Sequence, residues 1–175
     1  MAIKNHYRIL NESYNSKNKT IELIFYTDGS KVDNNAAAAL ILITLKTQIV
    51  SQLQLATNSV VIDQKSQILG HNWNLGQTDI VNAEIFAIEK ATIWILKLVQ
   101  RFNIKKTITI FVDSILALKA ISETRSQTLH IHENISYAKE LNYLVKLHWI
   151  PSHQNISGND LIDNLAKKKH NLVKI

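Results

Sequence analysis

An α/β fold on a five-stranded mixed sheet, its first three strands antiparallel and helices flanking it, is what this sequence predicts. Three observations carry that expectation. Short apolar runs rich in Ile, Val, Leu and Phe fall at 21–27, 36–45, 68–74, 107–112 and 144–150, with the length and composition of buried strands. The first three succeed one another without a long helical stretch between them, which suits antiparallel pairing. From Asp79 onward a 3.6-residue period takes over, and each of the last two strands is reached through helical sequence, as crossover connections require.

In chain order, residues 1–20 are polar and rich in Asn, Lys and Ser, without a sustained period. They read as a flexible arm or a linker remnant, leaving 21–175 as one domain. The run IELIFYT is the first strand, expected to stop at Asp28, with Asp28-Gly29 opening a turn that lasts to Asn35. Ala36–Leu45 is its hairpin partner. Within 48–67, IVSQLQLA and SVVI could each be a strand, and Ile68–Asn74 is the third strand of the sheet, closed by the turn at Leu75-Gly76-Gln77.

Asp79–Phe102 is the longest helix. At 100° per residue, Ile80, Ala87, Ile88, Ala91, Ile95, Leu98, Val99 and Phe102 share one stripe. Glu84 lies inside that stripe and Glu89 opposite it. A charge facing a core is costly without a cationic partner, so Glu84 calls for an explanation. Thr107–Val112 is the fourth strand and ends in Asp113, which could simply cap the short helix Ile115–Ile121. Thr128–Tyr143 is a further helix, Leu144–Ile150 the fifth strand, and Pro151–Ser157 a loop that carries His153. In the closing helix Gly158–His170, Leu161, Ile162, Leu165 and Ala166 form the apolar stripe. Asp160 is accounted for by the helix dipole, and Asp163 sits on the stripe's edge.

Composition narrows the classes of function. With 175 residues, 46% of them hydrophobic, the chain can bury a real core. A net charge of +6 favours a polyanionic partner. The lack of cysteine excludes disulfides and thiolate metal sites. There is no signal-peptide pattern and no apolar run of membrane-spanning length, so the expectation is an intracellular protein without a membrane role, cytoplasm and nucleus left undistinguished. We expect a monomer. The short basic runs Lys105-Lys106 and Lys167-Lys168-Lys169 are candidate phosphate contacts or solvated surface.

If Asp28, Glu84, Asp113 and Asp163 converge, four like charges repel in a partly buried pocket, and divalent cations are the simplest remedy. Oxygen-only ligands point to Mg²⁺ or Mn²⁺. Two such ions about 3.5–4 Å apart can clamp the attacking water and leaving oxygen of a phosphodiester, and a basic surface beside such a pocket fits nucleic acid.

Four blocks, TDGS at 27–30, AEIFAIEKA at 83–91, FVDS at 111–114 and HWIPSHQNISGNDLIDNLAK at 148–167, resemble in order the signature blocks of type 1 ribonuclease H. The last is worded most like the ribonuclease H domains of non-LTR retrotransposon reverse transcriptases. The resemblance implies a ribonuclease H-like fold and metal-dependent endonucleolytic cleavage of the RNA strand of an RNA–DNA hybrid, leaving 3′-hydroxyl and 5′-phosphate ends. It implies two Mg²⁺ ions (Mn²⁺ substituting), with Asp28 bridging, Glu84 and Asp113 on one and Asp163 on the other. His153 would assist proton transfer or product release. Gly29, Ser30, Ser114 and Asn159 would contact substrate and read the 2′-hydroxyls. The implied partners are the hybrid and a fused or associated reverse transcriptase.

The chain departs from the family pattern in three places. Ser152 stands where Gly is usual before the loop histidine, Ile162 replaces the usual Ala before the last Asp, and no basic handle separates the fourth and fifth strands. Weak affinity for hybrid alone is therefore expected. Two other functions compete: a non-catalytic scaffold or hybrid-binding domain of a larger protein, against which the intact carboxylates argue, and a different nuclease or transposase of the same fold, against which the GNDLID block argues.

Overall fold

A computed structural model describes residues 4, 7–9, 20–44, 50–63, 68–152 and 157–171, with the backbone alone for 157, 158 and 167–171. Its centre is a mixed sheet of strands β1 (Leu23–Val32), β2 (Asn35–Thr44), β3 (Val60–Asp63), β4 (Ile68–Gly76), β5 (Thr107–Val112) and β6 (Leu144–Trp149). The helices are α1 (Val50–Thr57), α2 (Ile80–Val99), α3 (Ile115–Ser122), α4 (Leu129–Glu140) and α5 (Ser157–Asn171), with a 3₁₀ turn at Ser126–Thr128.

Across the sheet the strands run β3-β4-β2-β1-β5-β6. As expected, β1, β2 and β4 pair antiparallel, and β5 and β6 join by parallel pairing through helical crossovers. The sheet has six strands rather than five. The additional one, β3, falls on the run SVVI that could be a strand; it is a four-residue edge strand on Ile68–Gly70 of β4, and its exposed ends give it no alternating hydrophobic signature. From Val50 onward the segment IVSQLQLA belongs to helix α1, not a strand, because Leu53, Ala56 and Thr57 turn inward with helical spacing.

Strand β1 also runs past its expected end. Asp28 lies within it opposite Ala39, and the chain reverses only at Asp33-Asn34. The antiparallel partner sets this length, since Ala36–Ala39 are small enough to pack beside the second half of β1 and are wholly buried. The parallel neighbour is shorter. Pairing of β1 with β5 ends at Thr27↔Val112, so Asp28 and Asp113 are the next residue on each strand.

Alternation along β1 divides the core. Leu23 and Phe25 face the cluster covered by α2, which contributes Ile85, Ile88, Ala91, Trp94, Ile95 and Leu98. Ile24 and Tyr26 face the other cluster, closed by Ile162 and Ala166 of α5. Each fully buried large side chain among these contributes about 1.5–3 kcal/mol. Ile162 is completely buried there, so the branched side chain in place of the family's Ala fills the space between α5 and the sheet. Among the described residues, no helix is long and apolar enough to cross a membrane.

Candidate active site

The carboxylates of Asp28, Glu84 and Asp113 come from β1, α2 and the residue after β5, and each offers an oxygen within 4.8 Å of the other two. Local structure delivers each one. Asp79 caps α2, its Oδ1 accepting the Asn82 N–H at 2.7 Å, which places Glu84 in the second turn on the side facing the sheet. Asp28 and Asp113 emerge side by side where the parallel pairing stops. Ser114, not Asp113, caps α3, its Oγ accepting the Ala117 N–H at 3.1 Å, so Asp113 is left for another task.

Gly29 makes the approach of β1 to α2 possible. A Cβ at this position would lie 2.8 Å from the Glu84 backbone nitrogen and 3.1 Å from Ala83. The Asp-Gly pair is thus a close strand–helix contact, rather than the turn that its composition suggests. The Gly29 N–H also donates to the carboxyl groups of Asp28 and Glu84.

Asp28 and Glu84 are 4% and 6% exposed, and their carboxyl groups hydrogen-bond to each other. Burial first, then the like charges of Asp113 and Asp163, push Asp28 up to about 8. Burial, followed by Asp28 and Asp113, pushes Glu84 up to about 10. Metal-free, burial and like charge therefore favour the protonated form of both acids. Asp113 is also raised by burial, an effect opposed by hydrogen bonds from Ser152 and Asn159.

Asp163 of α5 lies outside the trio but lines the same cavity of about 400 Å³ and acts electrostatically on both aspartates. Gly29, Ser30, Ser114 and Asn159 line this cavity too. Asn159 is buried and turned toward Asp113, and the Ser114 hydroxyl already serves α3. Asp160, which the helix dipole alone would explain, is on the rim. His153 lies outside the described residues, as do the side chains of Lys167, Lys168 and Lys169. Lys105 pairs with Glu22 at 3.1 Å and Lys106 sits 4.0 Å above the Tyr143 ring. Both precede β5, about 20 Å from Asp113 by strand length.

Ser152 is the residue whose part in the site the sequence did not reveal. Its Oγ donates to Asp113 Oδ2 at 3.1 Å. The visible signal was the departure from Gly, which by itself suggests only a stiffer loop.

The donor set fits hard divalent cations. It offers oxygen only, its charges repel in a buried pocket, and Glu84 Oε2 is buried without a hydrogen-bond partner.

A family model described as RNase H matches residues 20–171. No curated protein matches the chain. Among solved structures, RNase H1 from the halophilic archaeon Halobacterium salinarum NRC-1 is 17% identical with a TM-score of 0.51, over 86% of this chain and 98% of that one. The N-terminal RNase H domain of a Mycobacterium tuberculosis protein, solved as a fusion with maltose-binding protein, is 11% identical with a TM-score of 0.53, over 88% and 99%. The prototype foamy virus protease–reverse transcriptase is 21% identical with a TM-score of 0.57, over 87% of this chain and 21% of that chain. At these identities the likeness to solved structures is one of fold.

Proposed function

The chain belongs to the ribonuclease H family, and from that premise we propose that it is a divalent-metal-dependent endonuclease hydrolysing the RNA strand of RNA–DNA hybrids. The observation that carries this reading is the convergence of three inward-facing carboxylates within 4.8 Å, with a buried Glu84 oxygen lacking a partner.

Asp28, Glu84 and Asp113 would hold the metal, with Asp163 completing the set across the cavity. Two Mg²⁺ or Mn²⁺ ions bound there would neutralise the carboxylates, lower the pKa of the attacking water and offset charge on the leaving oxygen. The protein's own part is placement. Gly29 brings β1 against α2 so that Asp28 and Glu84 meet, and Ser152 and Asn159 orient Asp113. Gly29, Ser30, Ser114 and Asn159 line the wall where a hybrid's 2′-hydroxyls would be read. His153 is assigned proton transfer or product release on the resemblance alone.

Residues 21–175 are the catalytic domain in this reading, with 1–20 as arm or linker. The retrotransposon wording of the last block, together with the same fold inside a viral protease–reverse transcriptase, supports an association with a polymerase that supplements the hybrid grip.

The test is cleavage of end-labelled RNA–DNA hybrid beside double-stranded RNA, double-stranded DNA and single strands, with Mg²⁺, Mn²⁺ or EDTA. Cutting confined to the hybrid's RNA and abolished by EDTA is expected. Folded protein that cuts nothing, alone or with a polymerase partner, would instead support a scaffold.

A further inference from the structure

The chain leaving β6 is stitched to the end of β5. The Ile150 N–H donates to the Val112 carbonyl at 2.9 Å, the Trp149 indole Nε1 to the Asp113 carbonyl at 3.3 Å, and the Ser152 hydroxyl to Asp113 Oδ2 at 3.1 Å. The first two contacts fix the backbone around Asp113, and the third reaches the carboxylate itself. Pro151 between them has a fixed φ and restricts Ile150, so the hydroxyl is presented from a stiff entry to the loop. An ionised carboxylate only accepts hydrogen bonds, so the Ser152 hydroxyl is the donor, and neither Gly nor Ala has a side-chain donor to replace it. A carboxylate also has about four acceptor sites, so the tether leaves Asp113 free to ligate. Asn159, buried on α5, is its other side-chain partner.

We propose that Ser152 is a positioning residue for divalent-metal binding, its hydroxyl holding the Asp113 carboxylate in the orientation the cavity requires. The proposal rests on the metal-site reading above. Partners behind a metal ligand typically set affinity by about 10–100-fold. Because Ser152 is exposed, its effect should fall on the metal and not on the fold.

The experiment is calorimetric titration of Mg²⁺ into the full chain without nucleic acid, for wild type, Ser152→Ala and Ser152→Thr, with thermal unfolding of each in EDTA. We expect Ser152→Ala to bind Mg²⁺ about tenfold more weakly, Ser152→Thr to restore binding, and the metal-free unfolding temperatures to agree. A purely structural serine would lower the metal-free unfolding temperature and leave Mg²⁺ affinity alone, which would overturn the proposal. So would a threonine variant as weak as alanine. Wild type that binds no Mg²⁺ would remove the metal-site reading itself, an outcome distinct from wild type and Ser152→Ala binding equally.

Discussion

Asp28 and Glu84 reach the cavity from the buried contact of β1 with α2, whereas Asp113 and Asp163 reach it from the margin. The first pair is almost fully buried, joined by a hydrogen bond between its carboxyl groups and fixed by a strand–helix contact that leaves no room for a Cβ. The second pair is half-buried, and Asp113 depends on side chains contributed by the last quarter of the chain, Ser152 and Asn159. One side of the site thus forms with the core itself. The other draws on side chains that follow β6, so it is the side that sequence changes can tune at little cost to folding.

The largest expected effect falls on the deep side. Asp28→Asn should reduce hybrid cleavage by roughly 10³-fold or more, the scale for removing a group on which charge stabilisation depends, with the circular dichroism spectrum unchanged. A variant that cuts like wild type would take Asp28 out of the site. Gly29→Ala should cost about 1–3 kcal/mol in denaturant unfolding, because the new methyl meets backbone that cannot swing aside. An unaltered midpoint would mean that β1 and α2 are less tightly apposed.

Asp163→Asn probes the marginal side. Since Asp163 stands outside the trio, its loss should weaken cleavage less than that of Asp28, by about 10–100-fold, much of it recovered at high Mn²⁺. Equal losses at the two positions would erase the distinction between the sides.

The smallest effect is on stability against pH. Asp28 and Glu84 have folded-state values of about 8 and about 10, above their ordinary carboxylate values. The folded state therefore holds protons that the unfolded chain releases. Metal-free stability should be fullest below about pH 4 as regards these two groups, and should fall as pH rises through about 8 to 10. Glu84→Gln, a neutral mimic of the protonated acid, should flatten that decline and unfold later than wild type at alkaline pH. Identical pH profiles in EDTA would show that Glu84 does not carry the strain.

The carboxylates of the trio were legible in sequence on both sides. Glu84 interrupts an apolar helical stripe, and Asp28 and Asp113 follow strand-like runs, so each breaks a local pattern that can be seen without coordinates. What escaped depended on neighbours. Asp28-Gly29 has the composition of a turn, and only the approach of α2 and the length of β2 reveal a continuous strand. Helix α1 shows just three inward residues over eight positions, which left IVSQLQLA open to a strand reading. The role of Ser152 arises from a contact across 39 residues, which no local period encodes.

The most direct measurement of the central claim is anomalous diffraction from crystals grown with Mn²⁺ and a hybrid bound to the Asp28→Asn variant or, with uncleavable RNA, to the wild type. With wild type, we predict Mn²⁺ peaks at coordination distance, about 2–2.5 Å, from carboxylate oxygens of Asp28, Glu84 and Asp113, and a weakened or displaced peak in the variant. Saturating Mn²⁺ with no peak among these carboxylates, or peaks only elsewhere on the surface, would contradict the account.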